Sequence, residues 1–594
     1  TKDENGVFET TVASNLNGQY YDFDVTNFGQ TTANVPDPYA LSSNANGRRS
    51  MVVDWDQVAE PTGFDQPFVP QYANHAGIAI MEMQTRDFTS SAHWDGPAAD
   101  RGKYRGLHDT GTALPNGTKT GFDYVKELKA AGLTHVQLQP AYDFQSVDET
   151  RLDDPAYQAL PVNGIYNWGY DPQQYNAPEG SFSSDPADGT TRVDEFRDFV
   201  NDYNQAGIGV VMDVVYNHMP SQTGSSFDKV FPGYYFRAKS YSGAGVDIAS
   251  QRAMVRKFIV DSAKGWVEHY HVSGFRFDLM GLVDLETMRQ VRVAMDAIDP
   301  DILVYGEGWS MFGGDPTSTL TADGVAQQNR LYTLGEDWVG SFNDSFRDGM
   351  KGSVFNAGEK GFVQYAIAGD DTANSFKNRV YDGLIGTYGT AAAYVPGATD
   401  GIGASLAYVE AHDNLTLWDK LSVSSADPAT VATAAALSNA TVLSSLSPAF
   451  FEIGQDFGRS KKLPDDTYKV AGKYVEDPNQ ANVFYSSDSY NLGDAVNNVD
   501  WSLLQTNAAM ATAFRGALTA RKQVAAGFGA DLPFAAFQPA AGRYAKNLID
   551  DPYVISYAVS LGAASYVAIQ NYTASPVTYQ SVTVPAYGSY AGLI

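Results

Sequence analysis

Two carboxylates and one guanidinium stand at spacings that suit bond-breaking chemistry. In GFRFDLMG, Gly274 to Gly281, residues two apart share a strand face, so Arg276 and Asp278 point one way and Phe275 and Phe277 the other. The cation favours an ionised Asp278, as a carboxylate nucleophile requires. A buried structural ion pair explains the same pattern equally well. In ILVYGEGW, Ile302 to Trp309, Glu307 shares its face with Tyr305 and Trp309, and a carboxyl group among aromatic rings has the raised pKa of a general acid. Neighbouring strands lie ~4.8 Å apart, and the carboxyl groups of a double-displacement glycosidase stand ~5–5.5 Å apart, so adjacent strand ends can supply both. YVEAHDN adds His412 and Asp413, the latter a third carboxylate able to stabilise a developing oxocarbenium ion. DVVYNH adds Asp213, Asn217 and His218.

These residues sit at the ends of β-like apolar runs that alternate with amphipathic helices, the mark of a parallel sheet built from βα units. The runs fall at 78–83, 135–140, 208–214, 274–280, 302–307, near 339–343, 406–411 and 449–454. Between them Phe196, Phe199, Val200 and Tyr203 recur at helical spacing, as do Leu285, Met288, Val291, Met295 and Ile298, stripes that pack against a sheet. Eight such strands predict an α/β fold, a (β/α)8 barrel over 77–527 with its active site at the C-terminal strand ends. A helix over 511–524 closes it. Residues 1–76 read as an N-terminal β-sandwich, with strands Tyr20 to Val25 and Met51 to Trp55 between Asn, Gly and Pro clusters. Residues 528–594 read as a C-terminal all-β domain, with strands Tyr553 to Val559, Ser565 to Asn571 and Ser581 to Pro585.

Composition narrows the partners. The 594 residues carry 40 Lys and Arg against 69 Asp and Glu, a net charge of −29, which repels nucleic acid and anionic membranes alike. A sequence pI near 4.5 suggests service in mildly acidic surroundings. Cysteine is absent, which excludes disulfides and thiolate metal sites but fixes no compartment. The chain opens on Thr with no basic and apolar leader, consistent with a processed, extracellular product, secreted or attached to a cell surface. The uncharged stretch Val431 to Phe451, broken by Ser, Thr, Asn and Pro448, predicts a buried helix and then a strand rather than a transmembrane span.

The segments DVVYNH, GFRFDLMG, YGEGW and VEAHDN resemble, in order, the four signature regions of the alpha-amylase family of glycoside hydrolases. YNWGYDP, Tyr166 to Pro172, narrows the resemblance to type I pullulanases and related debranching enzymes. It implies Asp278 as nucleophile, Glu307 as general acid/base and Asp413 as transition-state stabiliser. It further implies Arg276, His218 and His412 as sugar-binding groups of the −1 subsite, with Asp213 beside them and Asn217 in support. Tyr170 becomes the platform beneath the −1 sugar, Trp309 a wall of the +1 side, and Asn414 a further substrate contact. PDPYALSSNANGRRSMVVDWD resembles the exit of the carbohydrate-binding-type module that precedes debranching-enzyme barrels. SYNLGD resembles a later substrate loop, which makes Tyr490 and Asp494 subsite candidates. The implied activity is retaining hydrolysis of α-1,6 bonds in pullulan, amylopectin, glycogen or branched dextrins. An amylase acting on α-1,4 bonds, or on both linkages, shares the carboxylates, and a non-catalytic glucan-binding protein is the alternative outside enzymology.

No organic cofactor is required. HExxH, GxSxG, Walker and EF-hand patterns are absent. His269 and His271 share strand parity but lack a third metal ligand, which favours a structural role. Asn217 matches a calcium position in many relatives of the resembling family, yet calcium takes about six or more oxygens and the sequence names too few.

Overall fold

In the computed structural model the described residues are 9–72, 74–335, 339–386, 404–425, 427–528, 542–561 and 564–594. Eight parallel strands form one sheet in chain order: β1 (Ala79–Met83), β2 (His135–Leu138), β3 (Gly209–Val214), β4 (Gly274–Phe277), β5 (Leu303–Gly306), β6 (Gly340–Phe342), β7 (Ser405–Leu406) and β8 (Ala449–Glu452). β8 pairs with β1. The ring closes where Ala407, just past β7, bridges Ala449 in parallel, with hydrogen bonds from Ala407 N to the Pro448 carbonyl and from Phe450 N to the Ala407 carbonyl. The barrel read from the eight apolar runs is therefore present, and its sixth strand lies within the 339–343 segment.

The apolar interior is lined by Ile80, Val211, Leu303, Tyr305, Phe342, Leu406, Tyr408 and Phe450, spaced along their strands as alternation requires. Phe275 and Phe277 turn outward into the helical layer with Phe258, Trp266 and Met288. The helices that fill this layer begin and end as their sequences dictate. Asp188 caps Gly189–Gln205 by accepting from Thr190 N at 2.9 Å, and Gly207 follows at φ 76°. Phe196, Phe199, Val200 and Tyr203 on that helix are fully buried. Asp284 caps Leu285–Asp296. Its stripe buries Met288, Val291 and Met295, whereas Ile298 lies past the helix end and is 42% exposed; that helix stops at Asp296, short of where its apolar spacing suggests.

The closing helix spans Ala508–Phe528. Phe514 packs edge-on to Phe451 of β8 at 4.8 Å, and buried Arg521 donates to the carbonyls of Ser445, Ser447 and Ile78, at the entry of β8 and β1. Val431 to Phe451 divides as expected into helix Val431–Leu443 and strand β8. Among the described residues no helix is long and apolar enough to cross a membrane.

Two β-rich regions flank the barrel. Toward the N-terminus Tyr20–Tyr21 pairs with Ser50–Met51, and Phe23–Asn27 pairs with Gln30–Val35. Among the described residues the expected sandwich is thus represented by two two-stranded sheets, and the strand expected through Trp55 stops at Met51, because Trp55–Gln57 forms a 3₁₀ turn capped by Asp54. Toward the C-terminus Tyr544–Lys546, Val554–Ser560, Ser565–Asn571 and Ser589–Leu593 make a four-stranded antiparallel sheet. The pair Val577–Tyr579 and Val582–Val584 packs on it through Val554, Val567, Ile569 and Val584.

Candidate active site

The parallel register places the charged residues side by side. Arg276 on β4 lies opposite Asp213 on β3 and Tyr305 on β5. The ladder runs one residue past the named strands: Asp278 N donates to the Val214 carbonyl at 3.0 Å and Glu307 N to the Phe277 carbonyl at 3.1 Å. Asp278 and Glu307 therefore leave neighbouring strands at the same level. Immediately after Asp278 the chain turns through Leu279, a non-glycine residue at φ 41°, a left-handed conformation that costs on the order of 1–3 kcal/mol. The turn aims the Leu279 N–H at Glu307 Oε2, 3.0 Å away.

Arg276 holds three acids at once. Its Nη1 donates to Asp213 Oδ1 at 2.9 Å and Asp278 Oδ1 at 3.1 Å, and its Nη2 stands 2.7 Å from Glu307 Oε1. Burial pushes the Glu307 carboxyl up to about 7; Arg276 opposes the rise, while Asp278 and Asp413 add to it. Glu307 is thus a carboxyl group kept protonated into the neutral range, the state a general acid needs. Asp278 is steadied from the other side, since Asn217 Nδ2 donates to its Oδ2 at 2.7 Å and to its carbonyl at 2.8 Å. Asp213 is fully buried beneath the cleft, and burial raises it to about 7 against the pull of Arg276.

The ring-bearing residues complete the base. Tyr170 donates to Asp213 Oδ2 at 2.7 Å and stacks on His412 with centroids 5.1 Å apart and planes at 18°. His218 Nδ1 lies 2.7 Å from Asn217 Oδ1 and its Nε2 3.0 Å from the Tyr170 carbonyl. Burial lowers the His218 pKa.

A cleft of about 890 Å³ opens over this base, lined among others by Tyr170, His218, Arg276, Asp278, Glu307, Trp309, His412, Asp413, Asn414 and Tyr490. Asp413 is the accessible carboxylate, 52% exposed at the side chain. Trp309 has the Arg347 guanidinium 6.0 Å from its ring centroid. Asn414 holds φ 65°, a left-handed conformation that Asn tolerates. Tyr490 stands at the rim beside Trp168, with Lys473 Nζ 4.1 Å from its ring centroid.

Asp494 departs from the expected grouping. It is outside the cleft lining, and both its oxygens accept the Arg86 fork at 2.7 Å, which makes it a tie between loops. Conversely, the cleft contains residues that sequence reasoning missed: Glu82 on β1, Asp171, Lys351 and Phe355. Glu82 carried a readable signal, a lone charge inside the apolar strand AIMEM. Lys351 and Phe355 did not, because they follow β6 in a segment without a motif.

Metal candidates resolve differently. Asn217, the position that matches calcium in the resembling family, turns its Nδ2 to Asp278 and its Oδ1 to His218. His269 and His271 stack on Trp55 and Phe64 at 4.0 and 4.1 Å, the structural role. Elsewhere Asp143, Glu149 and Glu179 form a buried trio whose oxygens lie within 4.8 Å of one another and could hold a metal ion. Arg192 already answers two of them, at 3.1 Å to Asp143 and 2.9 Å to Glu149.

No family model matches the chain. It is 34% identical over 516 residues to a pullulanase of Bacillus subtilis (strain 168), covering 85% of this chain and 63% of that protein. It is 30% identical over 551 residues to pullulanase A of Streptococcus pneumoniae serotype 4, covering 84% of this chain and 40% of that protein. The chain thus spans less than two thirds of either relative. Among solved structures, the pullulanase of Anoxybacillus sp. LM18-11 complexed with maltotetraose superimposes with a TM-score of 0.82 at 32% identity, covering all of this chain and 81% of that one. With that likeness extending over the whole barrel and the cleft just described, the chain belongs to the pullulanase family.

Proposed function

We propose that this chain carries the catalytic unit of a debranching hydrolase that cleaves α-1,6-glucosidic bonds in pullulan, amylopectin, glycogen or branched dextrins, with retention at the anomeric carbon. The observation that carries the reading is the pairing of Asp278 and Glu307 at adjacent strand ends under one guanidinium. In the first half-reaction Glu307 gives its proton to the departing glycosidic oxygen while Asp278 attacks C1, forming a glycosyl ester. In the second, Glu307 takes a proton from water, which attacks C1 and releases Asp278. Asp413, close to the cleft and unburied, balances positive charge on the sugar ring in both transition states. Tyr170, His218, Arg276, His412 and Asn414 surround the −1 sugar, with Trp309 and Tyr490 farther out. The Anoxybacillus relative is complexed with maltotetraose, which supports a glucan as the ligand of this chain.

None of these steps uses the trio around Arg192, where one guanidinium faces two of the three carboxyl groups. The division 1–76, 77–527 and 528–594 and an extracellular setting belong to the same proposal, tested by limited proteolysis and by cell fractionation. The deciding experiment for function is the product profile from pullulan. Maltotriose is expected. Panose or isopanose moves the activity to α-1,4 bonds, and an absence of products with glucan binding intact leaves a binding protein.

A further inference from the structure

Glu82 takes no part in the steps above, yet it places a full charge inside the barrel. It lies on β1 in register with Gln137 on β2 and is 1% exposed. Its Oε1 lies 2.8 Å from His412 Nδ1, and its Oε2 accepts from the His412 backbone N–H at 2.7 Å. Gln137 Nε2 donates to the same Oε1 at 2.9 Å, and Tyr305 OH donates to Gln137 Oε1 at 2.6 Å. One carboxylate therefore clamps both the ring and the main chain of His412, and a relay crossing the barrel from β5 fixes the carboxylate. Tyr170 covers one ring face and Trp168 meets its edge at 4.8 Å.

The consequence is a choice of protonation. A neutral imidazole that donates through Nδ1 to Glu82 leaves Nε2 as a bare acceptor; only the charged ring donates through both nitrogens. The groups facing His412 are Glu82, Asp413 and Asp213 on one side of the balance, Arg276 and Lys461 on the other, with Lys461 Nζ donating to the His412 carbonyl. Burial works against charge on the ring, Glu82 and Asp413 together outweigh it, and the imidazole is pushed up to about 9. In return the Glu82 carboxyl is held below its ordinary value in spite of its burial.

We propose that Glu82 is a positioning residue of the −1 site: through both carboxylate oxygens it orients His412 and keeps the ring protonated, so that Nε2 offers a charged donor to the sugar beside Asp413. The catalytic part of this inference rests on the hydrolase reading; the protonation part does not.

The test is ring-nitrogen NMR of the ligand-free protein, whose eight histidines give few signals, with His412→Asn to assign the one in question. In the parent protein both His412 nitrogens are expected to stay protonated from about pH 5 to about pH 8. In Glu82→Gln the ring is expected to lose its proton about two units lower, and Glu82→Asp is expected to restore the charge in part. A neutral His412 at neutral pH in the parent overturns the proposal, even if the Gln variant does not fold. So does a Gln variant with an unchanged titration. On pullulan, Glu82→Gln is expected to lose about 10²-fold in kcat with a smaller change in KM, and its alkaline limb is expected to move to lower pH. A parent protein that leaves pullulan intact but shows a charged His412 sinks the hydrolase reading alone.

Discussion

Arg276 Nη2 stands 2.7 Å from Glu307 Oε1, and the other arm of the same guanidinium, Nη1, lies 3.1 Å from Asp278 Oδ1. One cation thus serves two carboxyl groups that must differ in protonation. The two acids also differ in what else they meet. Asp278 receives the Asn217 amide and is 12% exposed at its side chain, whereas Glu307 receives one backbone N–H and is 8% exposed at its side chain, and burial raises it to about 7.

Hydrolysis by this arrangement requires a protonated Glu307, so kcat on pullulan is expected to fall as pH rises through about 7. Arg276 opposes the upward shift of Glu307, hence removing the guanidinium raises that pKa further. Arg276→Gln is expected to lose about 10²–10³-fold in kcat while its alkaline limb moves to higher pH. A limb that stays in place, or moves to lower pH, means that Glu307 is not the titrating acid.

Adjacent strand ends set the stereochemistry. With Asp278 as nucleophile, the first product released from an α-linked substrate is the α-anomer, which proton NMR resolves before mutarotation. Asp278→Asn is expected to lose on the order of 10⁴-fold or more in turnover while still binding maltotriose in calorimetry. A β-anomer as first product excludes the covalent route.

The barrel and its chemistry were legible because they follow short-range rules. Period-two alternation fixed which of Arg276, Phe275 and Phe277 faces inward, and the four motif segments lie on strand ends whose register the parallel sheet enforces. Long-range partners were not legible. Nothing near Asp494 in sequence announces Arg86, 408 residues away, so a residue placed in a motif-like loop was read as a sugar contact. Glu82 and His412 are separated by 330 residues, and only the closed ring, in which β8 stands between β7 and β1, makes them neighbours. Ile298 failed for a local reason: its spacing continued a helical stripe after the helix had ended at Asp296.

The reassignment of Asp494 has a measurable consequence. Its fork with Arg86 is partly exposed, 14% and 31% at the two side chains, so breaking it costs about 1 kcal/mol. Asp494→Asn is expected to lower the urea midpoint slightly and to leave KM for pullulan unchanged. Tyr490→Ala, at the cleft rim, is expected to raise KM severalfold with little change in stability. A raised KM in the Asp494 variant would return that residue to the substrate path.

Arg521 governs the opposite end of the barrel. It is 4% exposed and donates to four carbonyls, those of Leu443, Ser445, Ser447 and Ile78, at the point where the last strand must meet the first. Arg521→Met leaves those buried acceptors unpaired at about 1–3 kcal/mol each, partly offset because a buried cation is no longer desolvated, and burial already lowers the Arg521 pKa to about 10. A net loss of about 3–5 kcal/mol is expected, read as a lower urea midpoint. The fraction that remains folded should keep its kcat, since every residue proposed for chemistry sits at the other ends of the strands. A variant of full stability would show that helix packing through Phe514 and Leu518 closes the barrel without the guanidinium, and a folded variant with a lost kcat would show that strain at the closure reaches the cleft.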